Sequence, residues 1–121
     1  MAKPKKQIRV IYKRVGFDPV EVTIDNELDT MQRMVGGYIE TVPFTMDRKC
    51  ILVVDEEGRI DNRPVNFVLR GETIHGAALW VGQKGEHFDD CPYTLDHFRM
   101  MWDWLFEEDD ITDAPMKFIA S

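Results

Sequence analysis

Apolar and polar residues alternate along two short runs near the start of the chain. Residues 7–13 read QIRVIYK and residues 20–25 read VEVTID, and the sequence GFDP between them is rich in turn-forming residues. A period of two is typical of strands that bury one face. The sequence therefore predicts an antiparallel hairpin over residues 7–25.

The spacing of apolar residues then changes to steps of three and four. Leu28, Met31 and Val35 form one stripe, which predicts a short helix ending at Val35. Asn26 is the expected N-cap, because its short side chain can accept hydrogen bonds from the free amides of the first turn.

Two adjacent glycines follow this predicted helix, in the sequence VGGYIETV. We expect Gly36 to end the helix with a positive φ, and Gly37 to allow a tight reversal into a strand that begins at Tyr38. The alternative is a phosphate-binding loop, but such loops usually follow a strand and precede a helix. Here the order is reversed, so the sequence favours a structural role.

The middle of the chain predicts two further strands. Residues 49–54 are almost continuously apolar, which is typical of a central strand buried on both faces. A single helical turn or an ordered loop is expected between Pro64 and Gly71, and a second strand over residues 73–81.

The last third predicts a longer helix after a loop over residues 82–93. Thr94 can cap a helix from Leu95 to about Glu108. Its docking stripe consists of Leu95, Phe98, Trp102 and Leu105. The tail would form an edge strand or pack as a strap.

These elements predict one α+β domain over residues 1–121. We expect a mostly antiparallel sheet of four to six strands, a short helix after the N-terminal hairpin, and a longer C-terminal helix packed on the sheet. The expected divisions are a flexible basic arm (1–6), a sheet-forming core (7–88), the C-terminal helix (94–109) and a tail (110–121). A chain of 121 residues is enough for one core and too short for two.

Composition and charge exclude several classes of protein. Hydrophobic residues make up 44% of the chain, which argues against disorder, and no apolar run is long enough to span a bilayer. Residues 86–121 carry ten acids against Arg99 and Lys117, so direct nucleic-acid binding there is disfavoured. The basic first residues could contact nucleic acid, but a solvated arm is the preferred interpretation. We expect a cytoplasmic protein with no membrane contact, in which Cys50 and Cys91 stay reduced.

Three segments together resemble a known family. These segments are VGGYIETVPF, ILVVDEEGRIDNRPVNFVL and IHGAALWVG, and their order and spacing resemble the small-domain family called domain of unknown function 3846. The resemblance covers roughly residues 20–88 and is most specific at VGGYIE. The chain departs from the family pattern at Asp55, where the family turn begins with Asn, and at Phe67, where the family has Arg. The resemblance implies an accessory protein of a phage, plasmid or other mobile element, and it carries over no catalytic residue.

Candidate metal and catalytic residues give weak patterns. His87, Asp89, Asp90, Cys91 and His97 are all of ligand type, but they fit no metal-binding spacing, so a surface loop is the preferred interpretation and no metal or cofactor is expected.

His75 with Cys50 or Asp55 could be a base and a nucleophile, but a packed histidine is preferred. Backbone amides at Gly82 and Gly85, with Lys84, could hold an anion, although a hairpin loop is preferred.

The C-terminal helix and its tail form the strongest candidate surface. Aromatic residues beside dense carboxylates suit a protein interface, because aromatics supply buried area and acids attract basic partners. The residues concerned are Trp102, Trp104, Phe106, Glu107, Glu108, Asp109 and Asp110. The alternative is that Trp102 belongs to the core and the acids only keep the protein in solution.

The sequence therefore favours a non-enzymatic binding protein that acts on a host protein through this acidic, aromatic surface, with a homodimer as another use of the same face. The alternative function is binding or sequestering a small ligand such as a nucleotide. That site would use His75, Gly82, Lys84 and Gly85, beside the strand that contains Gly76–Ala78, with a dimer seam as one location for it.

Overall fold

The computed structural model describes residues 3–58 and 60–107. These residues form an α+β domain with a mostly antiparallel sheet, a separate two-stranded ribbon and two helices. The elements in chain order are β1 (Gln7–Lys13), β2 (Val20–Asp25), α1 (Leu28–Val35), β3 (Ile39–Pro43), β4 (Cys50–Asp55), β5 (Val65–Leu69), β6 (Glu72–His75), β7 (Ala78–Lys84), β8 (His87–Asp89) and α2 (Leu95–Glu107).

The main sheet has the strand order β2-β1-β7-β4-β3, and β8 pairs with the end of β7. Every pairing in the sheet is antiparallel. All six residues of β4 are buried, as the continuous apolar run predicts. Because β3 pairs only with β4 among the described strands, it forms one free edge of the sheet.

Each face of the sheet has its own apolar core, since alternate residues of each strand point to opposite faces. On one face, Met31 and Val35 of α1 pack against residues such as Val53 and Leu79. On the other face, the β5–β6 ribbon and α2 cover Leu52 and Trp80 together with their neighbours.

Trp80 is the centre of the second core. Its ring lies 4.7 Å from that of Phe98, 5.3 Å from that of Phe67 and 5.8 Å from that of Trp102, measured between centroids. These edge-on and stacked contacts attach both the ribbon and α2 to the sheet.

Several predicted elements are confirmed. The hairpin over residues 7–25 is present as β1 and β2, and their register pairs Gln7 with Asp25. Gly36 follows α1 in the left-handed conformation, with φ 92°. Thr94 caps α2, since its hydroxyl accepts a hydrogen bond from the His97 amide at 3.2 Å.

Other local predictions are wrong. Asn26 does not cap α1: Glu27 occupies that position without a side-chain bond, and the Asn26 amide donates to the carbonyls of Lys5 and Phe88. Leu28 is exposed, so the buried stripe of α1 contains only Met31 and Val35.

The segment after Pro64 is also corrected. It forms the strand β5 and neither a helical turn nor a loop, because its apolar residues pair with β6 and cover the sheet. The strand expected over residues 73–81 is divided at Gly76, whose φ of 82° turns the chain from the ribbon into the main sheet. The loop expected over residues 82–93 contains β8. The predicted structure of the tail lies outside the described residues.

Candidate functional site

An ion pair with a buried carboxylate lies where α1, β4 and the turn before β5 meet. Asp55 ends β4, and its side chain is only 2% exposed. One carboxylate oxygen accepts a hydrogen bond from Arg63 Nε at 2.7 Å, and the other accepts one from the Glu57 amide at 2.9 Å. Arg63 also donates to the carbonyl of Gly36. The pair therefore joins three segments that are distant in sequence.

The double glycine makes room for this ion pair. A Cβ on Gly36 would lie 2.8 Å from Arg63 Nη1, and a Cβ on Gly37 would lie 2.7 Å from Asp55 Oδ1. Both separations are shorter than side chains tolerate. The glycines thus end the helix, as predicted, and also leave space for a carboxylate and a guanidinium.

A cleft opens beside this ion pair, between the β3–β4 edge of the sheet and β6. It has a volume of about 330 Å³. Its floor is apolar and includes Val42, Val54 and Ile74, while Ile60 lies exposed at its mouth. The rest of the lining consists of Glu40, Asp55, Glu56, Gly58, Glu72, Thr73 and His75.

Negative charge dominates the cleft. Glu40, Glu56 and Glu72 are exposed on its lining, whereas the Asp55 carboxylate is paired with Arg63. No lysine or arginine contributes to this lining within the described parts of the chain. An apolar floor below three carboxylates suits a ligand that carries positive charge on an aliphatic stem.

His75 lines the cleft with both ring nitrogens engaged. Nδ1 donates to the Arg63 carbonyl at 2.8 Å, and Nε2 lies 3.1 Å from Thr73 Oγ1. The ring therefore connects β6 to the ion pair. The two residues considered as catalytic partners of His75 have other roles. Asp55 accepts a hydrogen bond from Arg63, and Cys50 is buried in the core.

A second buried polar cluster joins the ribbon to the main sheet. Lys13 Nζ donates to Asn66 Oδ1 at 2.5 Å, and the Asn66 amide donates to the carbonyls of Lys13 and Gly76, both at 2.9 Å. Lys13 and Asn66 are fully buried. Burial disfavours the ammonium form and lowers the pKa of Lys13 to about 8.

The predicted ligand-loop residues are divided between two places. His75 lies in the cleft, whereas Gly82, Lys84 and Gly85 lie at the far end of β7, in and after its pairing with β8. Gly82 is buried against the Asp90 carbonyl, and Gly85 forms a turn with φ 63°. The structure therefore does not assemble the four residues into one site.

The ligand-type residues of the loop over 87–97 have other contacts. Lys5 forms ion pairs with Asp89 at 3.1 Å and with Asp90 at 2.8 Å, so part of the basic arm lies against this loop. Cys91 is buried, and the His97 ring packs edge-on against Tyr93. Within residues 3–58 and 60–107, no group of three or more His, Cys, Asp or Glu is placed to hold a metal ion.

Trp102 lies in the core at 2% exposure, so it adds no exposed area to the predicted C-terminal surface. This position agrees with the alternative interpretation of Trp102. The remaining residues of that surface lie outside the part whose side chains are described: Trp104, Phe106, Glu107, Glu108, Asp109 and Asp110.

Most of the cleft was missed in the sequence: His75 was a candidate ligand residue and Asp55 a candidate catalytic one, whereas the exposed glutamates and the apolar floor were not candidates. Alternation along YIETV places Glu40 and Val42 on the same face of a strand, which is a usable signal. Nothing comparable connects that strand to Glu72 and Thr73, because their approach depends on how the ribbon folds over the sheet.

The fold and this site define an α+β antiparallel-sheet domain in which a double glycine, an aspartate and an arginine pack together. A family model described as domain of unknown function (DUF3846) matches residues 8–103, and the chain belongs to this family. The match extends beyond the roughly 20–88 of the sequence resemblance and includes most of α2. Comparison with curated proteins and with solved structures gives no match. Across the described residues, no helix is both long and apolar enough to cross a membrane.

Proposed function

We propose that this protein is a non-enzymatic binding module that takes a basic segment of a partner protein into the cleft beside β3. The observation that carries the proposal is the arrangement of Glu40, Glu56 and Glu72 around an apolar floor. A lysine or arginine side chain could lay its aliphatic stem on Val42 and Ile74 while its charged end meets the carboxylates.

The free edge of β3 supports a peptide as the occupant. An edge strand offers unpaired backbone groups, and an extended segment can add to it as a further strand. Side chains of the added segment would alternate, so every second one would lie beside Glu40 and Val42 above the cleft. At the Pro43 end the chain is already engaged, because Arg70 donates hydrogen bonds to the backbone carbonyls of Pro43 and Phe44.

The proposal includes an origin and a place of action. The family resemblance suggests a phage or mobile-element product that acts on a host protein in the bacterial cytoplasm. The acidic run Glu107–Asp110 would attract the same kind of basic partner through its charge. The predicted C-terminal surface and the cleft are both acidic, so both would bind a basic partner.

Calorimetric titration of the full chain with two peptides tests this function. One blocked pentapeptide alternates valine with arginine, and its counterpart has glutamate in place of arginine. The arginine peptide should bind and the glutamate peptide should not. The double variant Glu40→Gln, Glu72→Gln should weaken binding by about tenfold, and added salt should weaken it further.

The matched control is Glu27→Gln with Glu86→Gln, which removes the same charge from exposed positions away from the cleft. It should leave binding within about twofold. Equal binding of both peptides, or equal losses in the two double variants, would reject the cleft as the site.

A small cationic ligand is the second candidate, and the cavity volume favours it. About 330 Å³ lies within the usual range for small-molecule sites. Thermal unfolding with spermine and with a nucleotide panel separates the alternatives, because a ligand that binds only the folded state raises Tm. A rise with spermine, and none with the arginine peptide, would favour the small ligand. A rise with a nucleotide alone would favour the sequence-based alternative.

The C-terminal surface has its own test. Changing Glu107, Glu108, Asp109 and Asp110 to serine should leave the circular dichroism spectrum unchanged and abolish capture of the partner that wild-type protein captures from host lysate. If this variant still captures the partner and the Glu40→Gln, Glu72→Gln variant does not, then the cleft alone recognises the partner.

A further inference from the structure

The fold brings the chain's two cysteines together in the core. Cys50 begins β4, and Cys91 follows β8 by two residues; both are fully buried in the same apolar cluster. Their side chains are close enough that an interaction between the two sulfurs shifts their pKa values in opposite directions. Two thiols from distant parts of the sequence are therefore neighbours.

Gly82 allows this approach. It is paired with Cys50 across β4–β7 and with Asp89 across β7–β8. A Cβ on Gly82 would lie 2.0 Å from the Asp90 carbonyl oxygen, a distance that no contact tolerates. The missing side chain lets the backbone after β8 cross the face of β7 and carry Cys91 toward β4.

Arg9 fixes the position of the Cys91 segment. The Cys91 amide donates to the Arg9 carbonyl at 2.7 Å, and the Arg9 guanidinium donates to the carbonyls of Cys91 at 2.6 Å and Tyr93 at 2.9 Å. The Arg9 amide also donates to the Asp90 carboxylate at 2.9 Å. The thiol contact thus rests on a hydrogen-bonded backbone as well as on packing.

The two thiols differ in acidity. The interaction with Cys50 lowers the pKa of Cys91, with further help from the Tyr93 amide and the Arg9 charge. The same contact raises the pKa of Cys50. Cys91 is therefore the thiol of the pair that ionises more readily.

We propose that Cys50 and Cys91 are an oxidisable pair that closes to an intramolecular disulfide when the protein meets a peroxide. Local opening of the segment after β8 exposes the Cys91 thiolate, which attacks one oxygen of hydrogen peroxide and releases hydroxide. The sulfur of Cys50 then attacks the resulting sulfenic acid and displaces its hydroxyl group. The two thiol protons leave with the two oxygens, so two thiols and one peroxide give one disulfide and two waters.

This bond would join β4 to the segment that leads into α2. It would close a loop of about 40 residues, for which the loss of unfolded-chain entropy raises Tm by about 15 °C. Reduction with dithiothreitol would return the protein to its original Tm. The pair would thus make the stability of the α2 attachment depend on the oxidation state.

The test treats the full chain with hydrogen peroxide, once in native buffer and once in concentrated guanidinium chloride. Unreduced tryptic digests are then examined by mass spectrometry for the peptide pair joined through Cys50 and Cys91. In the native protein this intramolecular link should be the main oxidation product, with loss of both titratable thiols and a raised Tm that dithiothreitol reverses, whereas the denatured protein should form a smaller share of it because its two thiols are on average far apart. Native protein that keeps both thiols, that links only between molecules, or that gives no larger share of the intramolecular link than denatured protein would overturn the proposal.

The single variants provide controls. Cys50→Ala retains the nucleophile and should accumulate a sulfenic acid that dimedone traps, whereas Cys91→Ala should react much more slowly. The reverse order of reactivity would overturn the assignment of Cys91 as the nucleophile. If either variant fails to fold, the comparison of native and denatured wild-type protein still decides the main proposal.

Discussion

Replacing Gly37 with alanine should disrupt the Asp55–Arg63 ion pair without straining the backbone. Unlike Gly36, Gly37 does not have a positive φ, so alanine itself is tolerated there. The added Cβ would lie 2.7 Å from Asp55 Oδ1, and the carboxylate would have to move by about 0.7 Å to reach an ordinary contact. That displacement breaks its bonds to Arg63 at 2.7 Å and to the Glu57 amide at 2.9 Å.

The expected cost follows from those two bonds. A charge-assisted bond contributes about 1.5–3 kcal/mol and the amide bond about 1 kcal/mol. Partial exposure of Arg63 reduces the first term, and the smaller unfolded-state entropy of alanine offsets about 0.5 kcal/mol. We therefore expect Gly37→Ala to lower the free energy of unfolding by about 2 kcal/mol.

Urea unfolding followed by tryptophan fluorescence measures this change, since Trp80 and Trp102 are buried. The midpoint should fall by about 1 M with an unchanged slope. In an Asp55→Ala background, the same substitution should cost less than about 0.5 kcal/mol, because the atom it displaces is gone. Gly71→Ala is the control: its φ is 82° and no atom lies within 4 Å of the added Cβ, so its cost of about 1 kcal/mol should not depend on Asp55. Equal costs of Gly37→Ala in both backgrounds would refute the reasoning.

Three further substitutions test other parts of the fold. Gly82→Ala should lower the free energy of unfolding in urea by at least about 3 kcal/mol, because the added Cβ would lie 2.0 Å from the Asp90 carbonyl oxygen. The control is Gly85→Ala, whose Cβ would lie in open space and which should cost about 1 kcal/mol. Similar costs for the two variants would contradict the crossing of the chain over β7. Lys13→Met should flatten the pH dependence of stability. In wild-type protein the folded state releases the Lys13 proton near pH 8, while the unfolded state keeps it to about pH 10. The free energy of unfolding should therefore rise by about 2 kcal/mol between these pH values relative to the variant. Parallel plots of unfolding free energy against pH for the two proteins would contradict the lowered pKa. Thr94→Ala removes the N-cap bond of α2 and should lower stability by about 1 kcal/mol, and a change near zero would deny the cap a role.

The strands and helices with strong local patterns could be predicted from the sequence. The alternation in β1 and β2, the continuous apolar run of β4 and the cap of α2 are all local signals, and each is confirmed. Asn26 shows the limit of such signals. Its side chain is suited to a cap, but carbonyls from the N-terminal arm and from β8 occupy its donors.

The tertiary features could not be predicted in the same way. The double glycine is explained locally by the end of α1, yet half of its role depends on Asp55 and Arg63, which approach only in the folded domain. Asn62, with φ 59°, turns the chain just before Arg63. The residues around Arg63 do not by themselves indicate which carboxylate its guanidinium pairs with. The proximity of Cys50 and Cys91 likewise depends on the passage over Gly82.

Chemical-shift mapping by NMR tests the proposed binding site most directly. Isotope-labelled full chain is titrated with the peptide that alternates valine and arginine, and the amide shifts are followed residue by residue. We expect the largest changes at Glu40, Val42, Glu56, Thr73 and His75, with saturation at one peptide per chain. Changes confined to the residues after Leu95, or the same changes with the glutamate peptide, would contradict recognition of basic segments by the cleft.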